Sequence, residues 1–130
     1  MITMRSHARF QPRQVQRRAR QGNFQAMGHA AAAIRLTARR SIRRRQKPSR
    51  PGDPPNTRKG QLRRSIFYHV DRQRQRAVIG PAYTGVGRSA TAHEFGGRYR
   101  RERFPRRPFM GPALESNRDR LPKHWRASIL

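Results

Sequence analysis

Residues able to do acid–base or nucleophilic work are few in this chain, and they are scattered. His7, His29, His69, His93 and His124 never fall four apart, so no pair shares a helical face in the way a metal site needs. With no cysteine, thiolate ligands, disulfides and a Cys nucleophile are all excluded. Adjacent His93 and Glu94 have the types of a catalytic base pair. An acid–base enzyme, however, sets such groups against one another in a pocket, and six acidic residues leave few candidates. Glu94 reads better as an intramolecular or intersubunit partner for arginine. Ser65, His69 and Asp71 match a hydrolytic triad only by composition, since no nucleophile elbow surrounds the serine.

Phosphate-cradling loops fare no better. Gly85, Gly87 and Ala90 fit G-x-G-x-x-A, but that motif needs a strand–turn–helix unit and an acidic residue about 20 positions on. The segment downstream is arginine-rich instead. Gly80 and Gly85 open a P-loop spacing, yet Val86 stands where lysine is required. No enzymatic activity, cofactor or metal is expected.

Arginine is what remains. The net charge is +26, and only Lys47, Lys59 and Lys123 are lysine. Guanidinium binds phosphate and carboxylate bidentately and tolerates interfaces better than ammonium does. A balance this basic points to nucleic acid first and acidic protein surfaces second. In RYRRERFPRRPF, Tyr99, Phe104 and Phe109 have the spacing to stack single-stranded bases while arginines follow the backbone. Phe109 reads better as a core or interface anchor, and no RNP or KH pattern supports sequence readout. Only 33% of residues are hydrophobic, which places the chain near the disordered class. Such a chain should order inside an assembly or on a polyanion. The lack of cysteine suits assembly in a reducing cytoplasm. No apolar run approaches the roughly 18 residues of a membrane span, and MITMRSHARF lacks the apolar core of a secretory leader.

The elements that must position these arginines can be read in turn. Residues 1–23, with Arg5, Arg9, Arg13, Arg17, Arg18 and Arg20, form a basic flexible arm or a helix induced by a partner. Residues 24–130 form a single domain. Phe24, Met27, Ala31, Ile34, Ala38 and Ile42 recur at helical steps, predicting a helix over 24–46 that stops before Pro48. Residues 47–60, with Pro48, Pro51, Pro54 and Pro55, form a semi-rigid arm. The alternation over Ser65–Val70 and the run RAVIG at Arg76–Gly80 predict an antiparallel hairpin, which the long helix must cover. Pro81–Gly97 reads as irregular, with one helical turn near 90–95, and Arg98–Arg107 as a basic loop. A C-terminal helix is expected over 112–129, broken near Pro122. The fold class is α+β.

Four segments in order, PGDPPNTRKGQLRRSI (51–66), IGP (79–81), HEFGG (93–97) and RPFMGPAL (107–114), resemble a known family. It is the neck or tail-completion family of long-tailed, lambdoid-type bacteriophages, and the similarity spans roughly 25–121. The resemblance implies a long N-terminal helix on a small antiparallel sheet, with a C-terminal helix. It also implies a structural, non-enzymatic role in a homo-oligomeric ring at the head–tail junction of the virion. That ring would be assembled in the host cytoplasm, between head-connector and tail proteins. The Arg-rich arm, Lys59 and the charge depart from the family pattern. Combined with the charge, the resemblance predicts that Arg39, Arg40, Arg43, Arg44, Arg63, Arg64, Arg98, Arg100 and Arg101 face channel DNA or acidic neighbours. Pro51, Pro54, Pro55, Leu62, Ile66, Phe95, Phe109 and Met110 are expected at subunit interfaces. The competing class is a cellular Arg-rich nucleic-acid-binding protein of ribosomal or nucleoid type.

Overall fold

The computed structural model describes residues 1–5, 9 and 11–126. His7 and the end of the expected C-terminal helix, at 127–129, lie outside them. One helix organises the rest. α1 runs over Pro12–Ser41, 30 residues, or about 45 Å at 1.5 Å per residue. An expected start at Phe24 is therefore too late. Pro12 opens the helix where its missing N–H would have no partner anyway, and the basic stretch after it is helical. The apolar stripe holds further along, where Met27, Ala31, Ile34 and Ala38 are buried beside Ala26 and Ala30.

α1 also ends before the expected Gln46. The Ser41 hydroxyl donates to the Ala38 carbonyl at 2.7 Å, competing for the acceptor that the Ile42 N–H would use in a longer helix. Ile42 turns extended (φ −85°, ψ 111°) yet stays fully buried. Its place on the stripe therefore could not reveal the helix end. Arg43–Arg44 (β1) then pair in parallel with Asn56–Thr57 (β2).

Gly60 at φ 78° leads into a single helical turn, α2, at Gln61–Arg64. Leu62, Arg63 and Arg64 are helical, and β3 spans Ile66–Asp71, one residue later than the expected alternation over Ser65–Val70. β4, Arg76–Pro81, pairs antiparallel with it from Ile66↔Pro81 to Asp71↔Arg76, giving the expected hairpin. Asp71 Oδ1 accepts the N–H groups of Gln73 and Arg74, each at 3.0 Å, and so closes the tip. α1 covers this hairpin, which could not stand alone.

The glycine-rich stretch after β4 is a 13-residue helix, α3, at Tyr83–Phe95. Gly87 serves packing there, because a Cβ at that position would lie 2.9 Å from Tyr83 Cδ2. The supposed basic loop is a second hairpin, β5 at Gly97–Tyr99 and β6 at Glu102–Phe104. α4 follows at Met110–Asn117, then a 3-10 helix at Arg118–Trp125 that contains Pro122. The expected break is present but starts ahead of the proline. One cluster joins the elements: Ile34, Ala38, Ile42, Leu62, Ile66, Ala90, Phe109 and Ala113. The architecture is α+β, a long N-terminal helix with small antiparallel sheets and a C-terminal helix.

Candidate functional site

Glu94 lies in the last turn of α3. Its Oε2 accepts the backbone N–H groups of Phe109 (2.9 Å) and Met110 (3.0 Å), and Oε1 accepts that of Gly111 (2.9 Å). The first N–H groups of any helix lack intrahelical acceptors and carry partial positive charge. α4 has no side-chain cap from its own Phe109, so a carboxylate from α3 supplies one. Within the chain, the Glu94 carboxylate meets this helix start instead of an arginine.

His93 beside it is half-buried, with its ring against the edge of Phe104 (centroids 5.6 Å, 74°). Its Nδ1 is buried without a hydrogen-bond partner. Burial, and then the Arg107 charge, hold its pKa below the ordinary 6.5. The His93 carbonyl accepts the Arg107 N–H at 2.6 Å, and Arg107 Nε donates to the Ser49 carbonyl at 2.9 Å. The Gly52 N–H donates to the Arg106 carbonyl at 2.8 Å. These bonds staple the proline arm to the segment entering α4. Ser65 Oγ donates to the Leu62 carbonyl at 2.7 Å, and Asp71 closes its hairpin, so both polar groups are engaged locally. Among the described residues, no group of three or more His, Cys, Asp or Glu is placed to hold a metal ion. Nor is any helix among them long and apolar enough to cross a membrane.

Interface expectations divide by burial. Pro55, Leu62, Ile66 and Phe109 are buried within the chain itself. They are corrected from interface to core, because apolar side chains with helical or strand spacing satisfy either role and here the chain covers them itself. Pro54 and Met110 are partly covered, and Pro51 and Phe95 are exposed. Phe95, 73% exposed, rims an apolar groove of about 500 Å³ between β4, α3 and α4, beside Tyr83 and Leu114.

The expected arginines do not form one patch. Arg40 and Arg43 line a basic hollow of about 730 Å³ between the end of α1 and the proline arm. Arg98 and Arg100 line another, about 900 Å³, between α3 and the β5–β6 hairpin. Arg39, Arg44, Arg63, Arg64 and Arg101 line neither. Arg44 Nε instead donates to the Arg58 carbonyl at 3.2 Å, and Arg100 lies 5.3 Å from the Tyr99 ring centre. Sequence reasoning missed Arg45, Lys47 and Arg50 in the first hollow and Arg88 in the second. The first set was hidden because a two-residue parallel ladder folds the arm back with no periodic signal. Arg88 could have been found had α3 been read as a helix.

Most cations stand unneutralised. Among the described residues the ion pairs are Arg74–Asp71 (3.8 Å) and Arg118–Glu115 (3.7 Å), both local along the chain. The fold and surface together define an α+β chain with an outward-facing guanidinium coat and a carboxylate-capped C-terminal helix. Comparison with protein-family models, with curated proteins and with solved structures returned no match.

Proposed function

We propose that the chain is a structural subunit of a phage head–tail junction, closing with copies of itself into a ring and joining head-connector to tail proteins. The observation that carries this reading is the meeting of the motif-bearing segments in space. Leu62 and Ile66 of QLRRSI share one cluster with Phe109 and Ala113 of RPFMGPAL, and Ile79 of IGP packs against it. Pro55 of PGDPPN is fully buried, and Glu94 of HEFGG caps α4. Segments far apart in sequence that specify one cluster act as a single structural signature. That favours the phage family over an unrelated basic protein. Ring closure would cover Phe95, Tyr83 and Leu114 at the apolar groove.

The reading is tested in particles from a phage or prophage lacking this gene. Filled heads and free tails that fail to join, and that join when purified protein is added, are expected. Imaging should place a ring of this protein at the neck. Normal tailed particles without it, or its recovery on ribosomes or nucleoid, would overturn the reading.

A further inference from the structure

The first turns of α1 have no task inside the fold. Every residue over 11–21 is exposed, and burial begins only at Gly22. The helix contains no acidic residue. Arg13, Arg17 and Arg20 stand at steps of four and three, so they share one face. Eighteen residues make about five full turns at 3.6 per turn, which puts Arg13 in line with Ala31 and Arg20 in line with Ala38. Both alanines are buried. One continuous face thus serves as core in the second half of α1 and as a row of guanidiniums in the first.

A second, independent observation extends that row. The next position on the face is Phe24, and Arg72, from the tip of the β3–β4 hairpin, sits 4.2 Å above its ring centre. The tip is fastened there, since Asn23 Nδ2 donates to Gln75 Oε1 at 2.6 Å. A cation from a different element is therefore held at the end of the Arg13–Arg17–Arg20 row. Like charges at these steps repel one another, and no described carboxylate pairs with any of the four. A row so arranged calls for a partner with regularly spaced negative charge.

We propose that Arg13, Arg17, Arg20 and Arg72 form a docking row for the phosphodiester backbone of a nucleic-acid duplex. From Arg13 to Phe24 the helix rises about 16 Å. A B-form strand presents a phosphate about every 3.4 Å along its axis, so about five fall within that length as the strand winds past the row. Guanidinium meets phosphate bidentately. Phe24 is covered by Arg72, so the row offers no aromatic platform for unstacked bases, which favours a duplex over a single strand. Binding is independent of sequence, because phosphate contacts position without specifying. The inference does not depend on ring formation.

The test is titration of the full chain with a random 20-base-pair DNA duplex across a salt series. Neutralising all four (R13Q/R17Q/R20Q/R72Q) should flatten the log–log salt slope by about 3.6, at about 0.9 per phosphate contact. Because Arg72 also holds the hairpin tip, R13Q/R17Q/R20Q alone is measured as well, with an expected loss of about 2.7. An equal-charge control at exposed arginines that line neither basic hollow, R58Q/R103Q/R106Q/R120Q, should leave most of the slope intact. An RNA duplex of the same length separates DNA from RNA as the phosphate source, and binding of either through the row supports the proposal. Equal slope loss in row and control variants would overturn it, as would no loss in either. Polyglutamate binding that depends on the row as strongly as duplex binding does would also overturn it, by pointing to an acidic protein instead.

Discussion

The carboxylate of Glu94 accepts the backbone N–H of Phe109 at 2.9 Å, tying the end of α3 to the start of α4 across a hairpin. The same side chain takes the N–H groups of Met110 and Gly111. Losing it would strand three donors at a partly buried helix start. Glu94→Ala should therefore destabilise the fold by about 2 kcal/mol, in line with lost caps and unsatisfied donors. Glu94→Gln keeps one acceptor oxygen and should recover part of that. Urea denaturation of both variants measures the difference.

His93 makes stability depend on pH. Its folded pKa lies below the ordinary 6.5, chiefly because it is buried and then because Arg107 is near. The unfolded chain accordingly takes up this proton first as pH falls. Stability from the neutral, buried ring is present above about 6.5 and declines as pH falls from there through the folded value. His93→Gln should remove that component. Between pH 7.5 and 5, the melting temperature of the wild-type chain should fall by more than that of the variant.

The turn of the second hairpin is made from unsuitable residues. Arg100 and Arg101 adopt φ 49° and φ 66°, the left-handed region that two-residue hairpin turns require and that Asn-Gly fills best. Arg100→Asn with Arg101→Gly should raise stability by about 1 kcal/mol. An unchanged or lower melting temperature would count against strain at this turn.

Asn23 holds two distant parts of the chain at once. It donates to Gln75 and accepts from Trp125 Nε1 at 2.8 Å. Asn23→Ala should cost about 1–2 kcal/mol and loosen the 3-10 helix. The chain has a single tryptophan, so its emission reports on that site directly. A red shift in the native state is expected.

How much of this was legible depended on the range of the signal. The middle of α1 was, because Met27, Ala31, Ile34 and Ala38 repeat at the helical period and are buried. So was the β3–β4 hairpin, whose register follows from an alternating run and a short loop. The end of α1 was not, since Ile42 fits the core whether helical or extended. α3 was obscured by Gly85 and Gly87, which read as breakers until the Tyr83 ring is seen to occupy the space beside Gly87. The role of Glu94 was invisible for a different reason. It contacts backbone at Phe109, Met110 and Gly111, and backbone carries no residue-type signature. At the surface, composition revealed the guanidinium coat but not which arginines fall side by side.

The bond from Trp125 to Asn23 joins residues 102 positions apart, and it bears on how the chain is made. α1 packs against β3, β4, α4 and the 3-10 helix, all of which follow it in sequence. Contacts so remote slow folding, because closure must precede the gain they bring. On the ribosome, at about 5–20 residues per second, Asn23 waits about 5–20 s for the tryptophan to be synthesised. Through that interval the strongly cationic first half of α1 lacks this anchor. Any polyanion that met those arginines in the interval would compete with docking of the C-terminal elements.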